Sequence, residues 1–380
     1  MTFEHGHDKK SENKEQGEKT MMGKGRLILT AVAAISVLYL VQLVVTYSRF
    51  TGIYVDHEPV LADQCDQSFR LGGAEDLASI PGEGIFISAT DRADRVEGFV
   101  DGIYWLANDG QPILVSRDAP STFHPHGIDL FEGPDGYLLY VVSHDGELYG
   151  TSDEDMGHSI EVFHVNDDRT LTHSKSIRDK LIRSPNDITV MDVDRFYYTN
   201  DWRYLRGLGN MLEANLLLAL SDVGFHDQGS TSLVAKGLNY PNGIALSEDQ
   251  TTLWVNEIRG RRIQQFGVSS EDGSLKKQKR IPVATAPDNI TVKPDGHLLV
   301  AGISDVFAFQ AHEHKESEIA PSLILEVDPE SGERRDAFYD VSGSVSGATV
   351  GLYHDEALYI GTAYGDTLLR CPYSSGQDGS

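Results

Sequence analysis

The stretch SPNDITV, Ser184 to Val190, sets an asparagine and an aspartate side by side ahead of an alternating run of β-branched residues. Isoleucine, threonine and valine in alternation read as a strand, so the oxygen-rich pair stands at a strand's entrance. The pattern returns around the chain. AEDLASI, PHGIDLF, PNDITVM, PNGIALS, PDNITVK and GATVGLY begin at Ala74, Pro125, Pro185, Pro241, Pro287 and Gly347, at spacings of 51, 60, 56, 46 and 60 residues. Each is followed within about ten residues by a second apolar run: GIFISA, YLLYVVS, RFYYTND, TLWVNE, HLLVAG and ALYIGTA. Turn signals of the NDG, PDG, HDG and EDG type punctuate the strands. Units of this period with several strands each are the mark of propeller blades, and six units predict an all-β, six-bladed β-propeller over residues 51–375.

Composition agrees with a large globular domain. The 380 residues are 40% hydrophobic, enough for a sizeable core. With 32 basic against 58 acidic residues the formal charge is -26 and there is no basic stripe, which excludes nucleic acid as a partner.

The N-terminus stands apart. RLILTAVAAISVLYLVQLVV, Arg26 to Val45, carries no charge after Arg26 and is long enough to cross a bilayer. A signal peptide competes with an uncleaved anchor. The polar segment ahead of the run, the length of the run and the lack of a small-x-small cleavage site favour the anchor, placed at residues 26–48. Lys19, Lys24 and Arg26 precede the run and Arg49 follows it. The expectation is therefore a type II single-pass protein with residues 1–25 as a disordered cytosolic tail and the rest lumenal or extracellular, or secreted if the segment is cleaved. The two cysteines, Cys65 and Cys371, bracket the globular part, either as one bridge in an oxidising compartment or as two buried thiols.

The second residues of the six aligned segments are Glu75, His126, Asn186, Asn242, Asp288 and Ala348, and the third are Asp76, Gly127, Asp187, Gly243, Asn289 and Thr349. On equivalent innermost strands these side chains converge on the central channel. A water-filled acidic channel is one reading. Burying several carboxylates and amides together without a counter-charge is costly, whereas a bound cation turns that cost into coordination. An all-oxygen set selects calcium, whose six to eight ligands suit a ring drawn from separate blades. His126 is the one non-oxygen side chain among the polar ring positions, and His144 ends the next strand of its blade. An imidazole beside a polarising cation suits a general base for water, and a second one can relay the proton or hold the first. No GxSxG, HExxH, P-loop or EF-hand pattern offers another chemistry.

The segments EDL, HPHGI, VVSHDG, SPNDI, NYPNGIALS, PDNITV and ALYIGTA resemble the paraoxonase/arylesterase family of calcium-dependent lactonases in order and spacing, from about Cys65 to Cys371. That resemblance implies two calcium ions in the tunnel of a six-bladed propeller. Glu75, Asn186, Asn242, Asp288 and Asn289 would hold the catalytic ion. Asp76, Asp187 and the backbone carbonyl of Ile128 would hold a deeper structural ion. Alternation along an extended strand would let Glu75/Asp76 and Asn186/Asp187 each serve both ions. It further implies that His126 and His144 form the catalytic dyad and that Cys65 and Cys371 form the family disulfide. Departures bear on substrate range: Trp202 follows TND where the animal enzymes carry a histidine, Ser304 ends a GIS that replaces a glycine-cysteine-histidine run, and the loop Gln310–Ser322 looks longer, with His312 and His314 expected in solvent. Tyr204–Leu220 has the period of an amphipathic helix, read either as a plain covering helix or irregular strand or as a lid or membrane-surface element. The Asn289-Ile-Thr sequon coincides with a tunnel position and is expected to be unmodified. The functional expectation is hydrolysis of lactones or aryl esters. The alternatives are a sugar-lactone or phosphotriester hydrolase of the same fold and a calcium-stabilised membrane scaffold.

Overall fold

The computed structural model describes residues 8–51, 57–144 and 157–373. Residues 1–7, the HDG turn beyond His144 and the last two residues of the expected propeller range lie outside them. The chain divides into two compact units, Met1–Arg49 and Phe50–Ser380.

The first unit is a single helix, α1, Asp8–Phe50, and its stretch Arg26–Ser48 is long and apolar enough to cross a membrane. The helix begins far upstream of that run, which corrects the expectation of a disordered tail for residues 8–25. The reason is local: the segment is rich in Lys, Glu and Gln, and extending an existing helix requires no new nucleus.

The second unit is six four-stranded antiparallel sheets. The innermost strands are Ala74–Ile80, Pro125–Gly133, Pro185–Asp192, Pro241–Leu246, Ala286–Val292 and Ala348–His354. Each begins within one residue of a repeated segment named above. Faces of neighbouring blades form the core, as where Ala78, Phe86 and Trp105 of blade one meet Ile128, Leu139 and Phe163 of blade two. Burial on both faces explains why second strands such as Gly84–Ala89 are buried throughout instead of alternating.

The ring closes by exchange. Gln67–Arg70, ahead of blade one, pairs antiparallel with Thr367–Pro372 and so becomes the outer strand of blade six. A disulfide joins Cys65 to Cys371 at the same seam, 306 residues apart in sequence. In the chain-entropy account a loop of that size contributes about 6 kcal/mol.

Because second strands run antiparallel to the innermost ones, the start of each innermost strand and the loop after each second strand lie at one face. That face carries two short helices, α2 at Gly207–Asn215 and α3 at Val306–His314. Helix α2 is shorter than the Tyr204–Leu220 pattern and is turned inside out. Glu213 is buried, accepting from the backbone of Arg203 and Tyr204 and from Ser221 Oγ, while Leu208, Met211 and Leu212 are exposed. Helix α3 takes up part of the expected loop and buries His312, whose Nδ1 lies 2.8 Å from the Glu318 carbonyl. His312 in solvent is thereby corrected, since an imidazole with a backbone partner loses little by burial; His314 is exposed.

Candidate metal centre and histidine file

The six innermost strands share one irregularity. Pairing shifts register between Ala74 and Asp76, Pro125 and Ile128, Pro185 and Ile188, Pro241 and Ile244, Pro287 and Ile290, and Ala348 and Val350. Each shift is a β-bulge at the second or third aligned position or at both, where four of the blades hold the oxygen-rich residues. A bulge sets an extra residue against the partner strand and re-aims its side chain. Of the pairs Glu75/Asp76 and Asn186/Asp187, Glu75 and both residues of the second lie in these bulges, so a bulge and not a regular pleat sets the directions of their side chains.

Two layers follow from the bonding. In the deeper layer Asp76 Oδ1 accepts from its neighbour Leu77 N at 2.9 Å and Oδ2 from Ile128 N of the next blade at 2.7 Å. Asp187 repeats the arrangement with Ile188 N at 2.8 Å and Ile244 N at 2.7 Å. In the other layer Asn289 Nδ2 donates to the Glu75 carbonyl at 2.9 Å, across the ring. Glu75, Asp76, Asn186, Asp187, Asn242, Asp288 and Asn289 are all buried. Burial leaves no room for a glycan on Asn289.

The glycines that replace polar residues in two blades serve clearance. A Cβ on Gly127 would stand 2.6 Å from both the Asn186 carbonyl and Asp187 Oδ1, and one on Gly243 would stand 2.6 Å from the Asp288 carbonyl. Gly127→Ala is expected to push Asn186 and Asp187 off the channel and cost roughly 1–3 kcal/mol of stability. Thermal melting checks this; an unchanged Tm contradicts it.

Electrostatics separate the carboxylates. Burial and the charge of Glu75 push Asp288 well above the ordinary range. Asp76 and Asp187 are likewise pushed well above it, by burial and by the neighbouring carboxylates, against the pull of their backbone donors. Burial also acts on Glu75, but the Arg92 guanidinium and His126 outweigh it and hold the carboxyl at about 2. Arg92 donates through Nη2 to Glu75 Oε2 and reaches His126 Nδ1, which itself lies 2.9 Å from Glu75 Oε2.

The donor set fits a cation. Arg92 compensates Glu75, yet the Oδ1 atoms of Asn186 and Asn242 are buried without a hydrogen-bond partner among the described residues, beside carboxylates that resist ionisation. Orphaned amide oxygens next to uncompensated carboxylates are what a hard cation satisfies. A separate trio, Asp295, His297 and Glu326, brings its ligand atoms within 4.8 Å of one another. There Lys293 Nζ already lies 2.9 Å from Asp295 and 3.1 Å from Glu326, supplying the positive charge itself.

His126 and His144 stand edge-on with ring centres 4.7 Å apart. Next to them opens a cavity of about 710 Å3 lined by Arg92, Val96, Phe99, Phe123, His124 and His144 among others. On the same face of the propeller Trp202 and Tyr240 meet edge to face at 5.0 Å, and the Arg259 guanidinium lies 4.4 Å from the Trp202 ring centre. Three members escape sequence reading. Arg92 and Arg259 sit in loops with no repeat to mark them. His158 becomes visible only when the hairpin that places it opposite His144 is paired.

A family model described as arylesterase matches residues 107–372. Human serum paraoxonase/lactonase 3 is 26% identical over 364 residues, covering 90% of this chain and 99% of its own. Human serum paraoxonase/arylesterase 1 is 27% identical over 315 residues, covering 78% and 85%. Among solved structures, a gluconolactonase from Xanthomonas campestris superposes with a TM-score of 0.53 at 17% identity, over 84% of this chain and 96% of that one. At that identity the likeness shows the fold alone.

Proposed function

The chain belongs to the arylesterase family, hydrolases acting on esters, and from that premise we propose that it is a calcium-dependent hydrolase of lactones and related esters. The observation that carries the calcium reading is the ring of buried oxygens, in which the Oδ1 atoms of Asn186 and Asn242 lack any partner among the described residues. Glu75, Asn186, Asn242, Asp288 and Asn289 would hold one ion, and Asp76, Asp187 and the Ile128 carbonyl a second. Bound calcium supplies a positive charge that draws the carbonyl oxygen of the substrate and stabilises the oxyanion that develops there.

The protein's own groups do the rest. The bulges fix the ligand side chains against neighbouring backbones, so little reorganisation accompanies the reaction. His126 takes a proton from the attacking water as the water oxygen bonds to the acyl carbon, with His144 as its partner. The ring C–O bond then breaks and the proton goes to the leaving alkoxide. The cavity beside His144 receives the acyl chain through Val96, Phe99 and Phe123. Arg26–Ser48 serves as an uncleaved anchor, with the catalytic unit lumenal or extracellular, a reading supported by the basic residues ahead of the apolar run.

The test is turnover of γ- and δ-lactones, an aryl ester, a sugar lactone and a phosphotriester by the full chain in detergent with calcium. Lactones are expected to be the best substrates, followed by the aryl ester. Turnover confined to the sugar lactone or the phosphotriester overturns the substrate class, and turnover of none overturns the enzyme reading in favour of a calcium-stabilised scaffold.

A further inference from the structure

His158 opens the third strand of blade two and faces His144 directly, at the end of the second strand. Their Nδ1 atoms are 2.8 Å apart, and their rings stand edge-on with centres 4.8 Å apart. With His126 on the innermost strand, three imidazoles run in file outward from the tunnel. A 2.8 Å contact between two ring nitrogens is a hydrogen bond with one proton in it, so one Nδ1 donates and the other accepts.

We infer that His158 is the positioning residue of His144: its Nδ1 accepts the Nδ1–H of His144, leaving the lone pair of Nε2 as the only acceptor on the His144 ring. This rests on the reading of His126 and His144 given above. His158 is suited to the task. It is 8% exposed, its Nε2 is buried without a partner among the described residues, and Arg178 Nη1 lies 3.4 Å from its carbonyl. Burial, with His126 and Arg178 nearby, pushes it down to about 4, and burial holds His144 well below its ordinary value too, so both rings are neutral near pH 7 and share the single proton between them. Arg92, His124 and His126 face His144 from the other side. The arrangement is that of a buried acceptor orienting an imidazole, the role a carboxylate fills in other hydrolases. Here the acceptor is uncharged. Two histidines that merely pack together would carry no preference for which of them donates.

Two measurements decide it. In the full chain labelled with 15N-histidine, NMR at neutral pH is expected to find the proton of His144 on Nδ1; a proton on Nε2 overturns the inference whatever the enzyme turns over. In kinetics, His158→Phe is expected to lower kcat about 10- to 100-fold with KM and calcium affinity within twofold, and His158→Gln, whose Oε1 accepts, to restore most of the loss. A kcat within twofold of wild type in His158→Phe overturns it. Should His158→Phe fail to fold, the wild-type NMR result and the kcat of His158→Gln decide. A His126→Gln control with full activity would sink the dyad reading, and the NMR result would still judge His158.

Discussion

Stripping divalent metal with EDTA is expected to lower Tm by roughly 10 °C, and adding calcium back to restore it. The magnitude follows from mass action: at a thousand times Kd each of the two proposed ions contributes about 4.1 kcal/mol, and at about 2 cal/mol/K of unfolding entropy per residue a domain of this size shifts by roughly 1.5 °C per kcal/mol. The residues responsible are Asp76, Asp187 and Asp288, all buried and all pushed well above the ordinary carboxylate range. Their folded pKa lies above the unfolded value. In metal-free protein they therefore contribute stability that is present below the unfolded pKa of 3.8 and lost as pH rises through the folded value. On the proposed reading calcium would remove that loss, so the Tm gain from calcium is expected to be largest above neutral pH and to shrink on acidification as protons replace the ion. His144 and His158, pushed down by burial, contribute with the opposite sign: their stability is lost as pH falls below about 6.5. Neither is a proposed ligand, so their contribution cancels when Tm with calcium is compared with Tm without it. Thermal melts across pH, with and without calcium, check this; a gain of zero, or one that grows toward acid pH, contradicts it.

His126→Gln is expected to lower kcat by roughly 10²–10⁴, the range for removing a general base, while shifting Tm by less than about 2 °C. Glutamine keeps much of the volume and still accepts from Arg92, but it takes no proton. The His126 ring lies among Glu75, Arg92 and His144 and has only 13% of its side chain exposed, so loss of activity through gross repacking would show in the melt. Steady-state kinetics on a lactone and a parallel melt check it. Wild-type turnover removes His126 from the mechanism.

The ring was legible because a propeller repeats one short instruction. Pro-Asn-Asp-Ile at Pro185 and Pro-Asn-Gly-Ile at Pro241 mark equivalent entrances to the channel, and the six aligned segments coincide with the six innermost strands. What sequence periodicity could not show was the bulge. Alternation assumes a regular pleat, whereas Pro185 pairs with Asn200 and Ile188 with Tyr198, leaving Asn186 and Asp187 to share one opposing residue. Arg92 escaped because its partner Glu75 lies across a loop, and the arginines of DRADR carry no period. His158 escaped for a related reason: its meaning lies in the residue opposite, not in its neighbours. Helix α2 misled because a 3.6 period shows that one face is apolar without saying which way it turns, and the buried anchor proved to be Glu213.

The most direct test of the account is lactone hydrolysis by chelated protein as free calcium is raised, with bound calcium measured in the same samples. The account predicts no turnover in the chelated protein and a rise in rate that follows filling of the last site, with two ions bound at full activity. Full turnover at zero bound calcium, or full occupancy without turnover, would contradict it.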